Sequence, residues 1–208
     1  VRNSINSFLP EGLSDSISEK VVNAYINRLD KYPHLHDKIE FEVVHTAYDF
    51  DFDKNFVKRY GETLTREELF EYKGSLRNIT KKAINNDYNS TLNVAIRDVE
   101  KLTILQKDKV QFEKNPFSIA DRINTLIDEC KSYGTLPFSI IARHGFIAEN
   151  LLRSAVSNNA ITSERVKEFK RSFNTIAGEM SNDFQKVLKK ELTKEDYLIK
   201  YGHLRPGS

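Results

Sequence analysis

The chain has 208 residues, enough for one well-buried core or for a core with a small satellite. Lysine and arginine number 32 and aspartate and glutamate 30, so the formal net charge of +2 excludes a chain-wide attraction to nucleic acid or to an anionic membrane. The one cysteine, Cys130, excludes an internal disulfide and a four-cysteine metal site. Because we find neither an apolar run of about 20 residues nor a signal-peptide pattern, we expect a cytoplasmic protein.

The first half of the chain predicts two helices with N-terminal capping boxes. Ser16-x-x-Glu19 precedes an apolar stripe that Pro33 ends, and Thr65-x-x-Glu68 precedes a second stripe that leads to an exit near Asn85. In such a box, the side chains at the first and fourth positions satisfy two backbone N–H groups that would otherwise lack partners. We therefore expect helices to start at these two motifs.

Between these helices, the pattern changes from helical to alternating. Ile39, Phe41 and Val43 alternate with Glu40 and Glu42, a period of two that favours an extended strand. We predict a short extended segment near residues 39–48, followed by the acidic and aromatic run 49–53.

The second half predicts further helices with short breakers. One is expected from Thr91 to about residue 112 and the next from about Ser118, with Gly134 as its C-terminal cap. The most apolar helix is predicted over residues 138–156, followed by a long helix that carries the stripe from Val166 to Val187 and by a short one that ends at Gly202. The predicted fold is all-α, with about seven helices in a single domain over residues 1–208.

The helix over residues 138–156 carries the first candidate site. A projection at 100° per residue puts five polar side chains in one sector: Arg143, Glu149, Asn150, Arg153 and Ser154. Arginine offers paired donors to a carboxylate and Glu149 can hold an ammonium group, so the sector suits an amino acid. Glu149 and Arg153 also have the spacing of an ordinary surface ion pair, and the spacing alone favours that alternative.

Two further residues of this helix need explanation. His144 falls on the apolar side, where a histidine is more often a hydrogen-bonded core residue than a catalytic group. Gly145 costs about 1 kcal/mol in a helix interior relative to alanine, so we expect a close approach by another helix or by a ligand.

Metal binding is not expected. Four nearby side chains could in principle bind a metal ion: His45, Asp49, Asp51 and Asp53. The acidic run, however, lacks the glycine and the final acidic residue of an EF-hand loop. A solvated or helix-capping role is the prediction for these carboxylates.

The run Tyr201-Gly202-His203-Leu204-Arg205-Pro206-Gly207 resembles a signature of phosphotransferases of the phosphoenolpyruvate synthase and pyruvate phosphate dikinase type. In that family it ends the helical region between the ATP-binding and phosphohistidine domains. The blocks Leu35-His36-Asp37-Lys38-Ile39-Glu40-Phe41-Glu42 and Ala142-Arg143-His144-Gly145-Phe146-Ile147-Ala148 resemble the same proteins. The likeness covers residues 33–53, 138–156 and 197–207 most clearly. Relatives continue after the signature with Thr-Tyr-Asp-Ile, so Ser208 suggests a piece of a longer enzyme.

The resemblance implies a role for the chain in a larger enzyme. An ATP-grasp-like domain passes a phosphoryl group to a histidine on a mobile domain, which delivers it to an acceptor, with release of AMP and phosphate. ATP and Mg²⁺ are expected for the complete enzyme, whereas no cofactor is expected in this helical segment. The segment lacks a glycine-rich phosphate loop and the phosphohistidine motif, so we expect it to be inactive alone.

The acceptor is the open question at this stage. Acceptors in the family include pyruvate, rifamycins and the side-chain amide of L-glutamine, whose phosphorylation feeds capsule phosphoramidate synthesis, and L-glutamine is the acceptor that we expect. The candidate substrate-binding residues are Arg143, His144, Glu149, His203 and Arg205. A rifamycin would need a wide apolar cavity, which Phe41, Tyr48, Phe138 and Phe146 could line.

A different class of function is a helical hinge that binds no small molecule and sets the path of the mobile domain. The run 201–207 is equally consistent with a turn at a domain junction and with a ligand site. These alternatives stay open at this point.

Overall fold

The structure, a computed structural model, describes residues 2–61, 63–107 and 116–204, with backbone alone for 106–107 and 116–118. These residues form ten α-helices and no strand, which confirms the predicted all-α class. The helices are α1 (Arg2–Asn6), α2 (Asp15–Lys31), α3 (Phe52–Tyr60), α4 (Arg66–Ile84), α5 (Thr91–Lys107), α6 (Pro116–Glu129), α7 (Leu136–Ser157), α8 (Ser163–Arg171), α9 (Ile176–Leu188) and α10 (Lys194–Tyr201). Short turns complete them: a 3₁₀ turn at Pro33–Lys38 and π turns at Ile39–Val43 and Cys130–Thr135.

The chain divides into two compact units, residues 1–160 and residues 161–208. The boundary follows Asn159, whose φ of 57° is in the left-handed region that asparagine tolerates better than most residues. The prediction of a single domain stays a prediction. No helix in the described ranges is long and apolar enough to cross a membrane.

The core of the first unit is built from α1 to α4 and the turns between α2 and α3. Its buried side chains include Ile5, Val21, Tyr25, Val43, Phe52, Phe56, Tyr72 and Leu76. In the same unit, α7 packs against α5, α4 and the π turn Ile39–Val43. The position of α7 between these elements brings its polar side chains beside the chain segment that follows the π turn.

Several predicted boundaries are confirmed. Thr65 and Glu68 form the expected reciprocal capping box, Asn85 caps the end of α4, and Gly202 caps the end of α10. The helix predicted from Thr91 begins there. Its predicted end near residue 112 lies outside the described residues.

The prediction of an extended segment over residues 39–43 is wrong, because these residues form a π turn closed by the bond from Val44 N to Ile39 O, 2.9 Å long. A strand would need a partner strand for its carbonyls. Here the side chains of Arg59, Arg28 and Tyr60 bind the carbonyl oxygens of Phe41, Glu42 and Val43 in turn. Helices α2 and α3 therefore satisfy this backbone in place of a sheet.

Helix α2 starts earlier than predicted. Ser14, not Ser16, is the N-cap, and its side chain accepts a hydrogen bond from Ile17 N. The fourth position of this cap is Ile17, which is buried and cannot return a side-chain hydrogen bond, so only the first half of a capping box is present.

The predicted long helix from Val166 to Val187 is two helices, α8 and α9. Between them, Ser172 donates to Phe169 O, Asn174 bonds Glu179, and Thr175 caps α9 through Gly178 N. Short polar side chains that bind nearby groups compete with the helical backbone pattern, and here they end one helix and start the next.

The two glycine predictions fail in different ways. Gly134 does not cap a helix but lies in the π turn Cys130–Thr135, where a Cβ would meet the Leu102 side chain at 3.3 Å. Close packing against α5 therefore explains this glycine. For Gly145, the predicted close approach by another helix fails, because among the described residues a Cβ there would meet nothing within 4 Å.

Candidate functional site

A polar cavity of about 190 Å³ lies between α7, α3 and the segment that follows the π turn Ile39–Val43. Its walls combine both signs of charge with amide and hydroxyl groups. The lining residues are Phe41, Glu42, Val44, His45, Thr46, Ala47, Asp49, Asp51, Asn55, Arg59, Asn150, Arg153, Ser154 and Ser157. We call it the polar cavity.

Helix α7 supplies one wall of the polar cavity. Asn150, Arg153, Ser154 and Ser157 are spaced by three, four and seven residues, so they lie on one helix face. Asn150 Nδ2 donates to Thr46 Oγ1 over 2.7 Å, and Phe50 N donates to Ser154 Oγ over 3.4 Å. These bonds join α7 to the facing segment across more than a hundred residues of sequence.

The far end of this wall is closed by Asp51. Its carboxylate accepts hydrogen bonds from the hydroxyl of Ser157 and, over 3.1 Å, from Asn158 Nδ2. Asp51 is also the N-cap residue of α3, although its side chain forms no capping bond. The carboxylate thus ties the start of α3 to the end of α7.

Two arginines supply the positive charge. Arg59 is mostly buried, donates to Phe41 O over 2.9 Å and pairs with Glu42 at 3.3 Å. Arg153 pairs with Glu149 at 2.9 Å through Nε, and its guanidinium lies 4.2 Å from the centre of the Phe41 ring. Arg153 donates to Glu149 through Nε, and the two terminal nitrogens of a guanidinium carry further N–H donors in the same plane.

His45 is a buried neutral group in the cavity wall. Burial, with Arg59 and Arg28 nearby, lowers the pKa of His45 to about 3. Its Nε2 is buried and has no hydrogen-bond partner within the described part of the chain. The ring packs against Phe52, whose centre is 4.9 Å away. A buried polar atom without a partner is rare in folded proteins and is a reason to look for a ligand.

Asp49 is the acidic group most affected by the cavity. Burial raises the pKa of Asp49 to about 6, against a hydrogen bond from Asp51 N of 2.9 Å that favours the charged form. A cleft carboxyl with a raised pKa is typical of binding and catalytic sites, although ion-pair networks also produce such shifts.

The sequence-predicted pair Arg143 and Glu149 is not brought together. Arg143 N–H groups donate to the carbonyls of Ser7 and Phe8 over 2.9 and 2.8 Å, whereas Glu149 pairs with Arg153 in the predicted surface geometry. A helical projection leaves out the rise along the axis, which separates Arg143 from Asn150 by about 10 Å. Arg153, not Arg143, lines the polar cavity with Asn150 and Ser154.

Arg143 and His144 line a second cavity, of about 560 Å³, between α4 and α7. His144 Nε2 lies 2.9 Å from Thr91 Oγ1, and partial burial lowers the pKa of His144. This histidine is therefore hydrogen-bonded, as its place on the apolar side of α7 predicted.

The terminal run is described only in part. His203 is exposed, and Arg205 lies outside the described residues. Tyr201 is buried and donates to Asp183 Oδ2 over 2.8 Å, and Lys186 and Lys200 bind the same carboxylate. The start of this run thus packs α10 on α9 within the second unit.

The aromatic residues proposed for a wide rifamycin cavity do not form one. Phe138 is exposed, Tyr48 packs against Phe52, and Phe146 packs against Phe41 at 5.8 Å. Across the described ranges, no group of three or more histidine, cysteine, aspartate or glutamate side chains is placed to hold a metal ion.

Comparisons with protein-family models, curated proteins and solved structures found no match to this chain. The walls of the polar cavity come mostly from residues 33–53 and 138–156, the two segments for which the sequence predicts a family likeness. Only Asn55, Arg59 and Ser157 lie outside them. Sequence reasoning missed Arg59 because nothing in the α3 pattern separates it from the exposed Lys58 beside it.

Proposed function

We propose that the polar cavity binds the acceptor of an ATP-dependent, dikinase-type phosphotransferase, and that the acceptor is a small amino acid, with L-glutamine first. The observation that carries this proposal is the meeting of two family-like segments at one cavity. They are about a hundred residues apart in sequence, and each contributes polar groups to the same space. Binding of one acceptor would explain why both segments contribute polar groups to the same cavity.

The charges of the cavity fit a zwitterion. A planar guanidinium suits a carboxylate, and Arg153 stands at one side of the cavity with its Nε already fixed by Glu149. Asp51 offers a carboxylate for an ammonium group. This assignment gives the α-carboxylate to Arg153 rather than to Arg143.

The remaining groups fit a side-chain amide. An amide needs both donors and acceptors, which Asn150 and the hydroxyl of Ser154 provide, and His45 Nε2 is a buried polar atom in need of a partner. A volume of about 190 Å³ lies below the roughly 300 Å³ at which pockets for drug-sized ligands begin. The size favours L-glutamine over a rifamycin as the occupant.

Catalysis then requires the rest of the enzyme. ATP with Mg²⁺ would phosphorylate a histidine on a mobile domain, and that phosphoryl group would pass to the amide nitrogen of the bound glutamine, whose proton must leave. Asp49 lines this cavity and burial raises its pKa to about 6, so it is our candidate for the group that accepts this proton.

Isothermal titration of the 208-residue chain with L-glutamine tests the proposal. We expect binding that pyruvate does not reproduce and that Arg153→Gln weakens by about tenfold, since one charge-assisted hydrogen bond is worth about 1.5–3 kcal/mol. Lys54→Gln is the control, because Lys54 is exposed and outside both cavities. Absence of heat with glutamine, or equal loss in the control, would overturn the proposal and favour the hinge alternative.

A further inference from the structure

The second cavity differs from the polar cavity in size and in character. Its volume of about 560 Å³ is within the 300–1,000 Å³ typical of small-molecule sites. Ile79 from α4 and Ile140 and Ile147 from α7 give it apolar walls. An occupant would need an apolar body to fill the space between these side chains.

The charged lining of this cavity is mostly positive. Arg143, Lys81 and Lys82 line it, against one carboxylate, Glu11. His144 adds no positive charge at neutral pH, because partial burial and the nearby Arg143 lower its pKa. The cationic excess calls for an anionic group on the occupant.

The surroundings of Arg143 also indicate an anionic group in this cavity. Its terminal nitrogens bind only backbone carbonyls, of Ser7 and Phe8, and its Nε is buried without a hydrogen-bond partner. Within the described residues this guanidinium forms no salt bridge. Burial lowers the pKa of Arg143, which means that burial disfavours its charged form. Glu11 is near enough to favour the charged form of Arg143 but forms no ion pair with it among the described residues, so an anion in the cavity would add to this compensation.

We propose that the second cavity binds an amphipathic carboxylate, with its apolar body between Ile79, Ile140 and Ile147 and its anionic head toward Arg143, Lys81 and Lys82. The site is separate from the polar cavity, since none of its lining residues is shared with it. It therefore does not depend on the function proposed for that cavity.

Titration with decanoate, compared with the uncharged decanamide, tests this site. We expect decanoate to bind at least about tenfold more tightly, because the two compounds share an apolar chain and differ in charge. The double variant Lys81→Gln, Lys82→Gln should lose most of this preference, whereas Lys54→Gln should keep it. Raising the salt concentration should reduce the preference as well, since both lysines are exposed.

A filling variant distinguishes this cavity from any other surface. Ser75 lines it, and Ser75→Phe should abolish decanoate binding while leaving L-glutamine binding unchanged. Equal affinity for decanoate and decanamide, or decanoate binding that survives both Ser75→Phe and the double lysine variant, would overturn the proposal. The lysine variants change exposed side chains, so they test it even where Ser75→Phe disturbs the fold.

Discussion

A buried hydroxyl pair supports the wall of the polar cavity and gives a sharp prediction. Tyr25 and Tyr72 are fully buried, and their hydroxyl oxygens lie 2.6 Å apart. Tyr25 also accepts a hydrogen bond from the backbone N–H of His45 over 3.1 Å. The two tyrosines therefore have unequal roles, because only Tyr25 holds the segment that lines the cavity.

The asymmetry sets the expected magnitudes. Tyr25→Phe leaves two buried groups without partners, the His45 N–H and the Tyr72 hydroxyl, and each such group costs about 1–3 kcal/mol. Tyr72→Phe leaves only the Tyr25 hydroxyl short of one bond. We expect Tyr25→Phe to lower the free energy of unfolding by roughly 2–6 kcal/mol and Tyr72→Phe by roughly 1–3 kcal/mol.

Urea unfolding followed by circular dichroism measures both changes. Tyr32→Phe is the matched control, because Tyr32 is partly exposed and its hydroxyl forms no hydrogen bond within the described residues. Its stability should change by less than about 0.5 kcal/mol. Equal losses for Tyr25→Phe and Tyr72→Phe, or a larger loss for Tyr72→Phe, would refute the assignment of the His45 support to Tyr25.

The remaining predictions concern a helix glycine, the second unit and pH. Gly145→Ala should raise the free energy of unfolding by about 0.5–1 kcal/mol, because a Cβ meets open space there, and a lower melting temperature would contradict this. Asp183→Asn removes the negative charge and one of the two oxygens that accept from Lys186, Lys200 and Tyr201, so amide exchange in α10 should quicken, and unchanged rates would be the opposing result. His45 has a folded pKa of about 3, below its unfolded value, so from pH 6.5 toward 3 it lowers stability by up to about 1.4 kcal/mol per pH unit. Asp49 has a folded pKa of about 6, above its unfolded value, so its contribution is complete below pH 3.8 and is lost as the pH rises to 6. Denaturant titrations across pH 4–6 should therefore give Asp49→Asn a steeper rise of stability with pH than the parent, and identical slopes would refute the Asp49 assignment.

Local chemistry made much of the helical architecture predictable. The box of Thr65 and Glu68 is a short-range device, so it predicts the start of α4 without knowledge of the rest of the fold. The same holds for the exit of α4 at Asn85. The apolar density of the segment 138–156 also predicts α7, with ends within two residues of those observed.

Two failures have different causes: the π turn depends on tertiary contacts, and the break in the predicted long helix depends on local hydrogen bonds. Ile39–Val43 alternates like a strand, but arginines 28 and 59 from two helices bind its carbonyls and keep it a π turn. The break between α8 and α9 depends on Ser172 and Asn174 finding partners within a few residues. A five-residue period of two is too short a signal to outweigh such contacts.

The helix that carries the candidate site was predictable from the sequence, but the residues that face this helix across the cavity were not. The sector that contains Asn150, Arg153 and Ser154 does line the polar cavity. Arg143 shares that sector in projection but lines another cavity, because it lies about 10 Å from Asn150 along the helix axis. The sequence offers His45 and Asp49 as possible metal ligands and favours a solvated or helix-capping role for the carboxylate, whereas the fold places both residues in the cavity wall.

The central claim is that an amino acid occupies the polar cavity, and a two-dimensional NMR titration with L-glutamine tests it most directly. The claim predicts that the largest shift changes fall on the Asn150 side-chain amide, the Arg153 Nε–H and the Thr46 backbone amide, and that they saturate together. Shift changes centred on Arg143 and Thr91, or no saturable change at any of these groups, would contradict it.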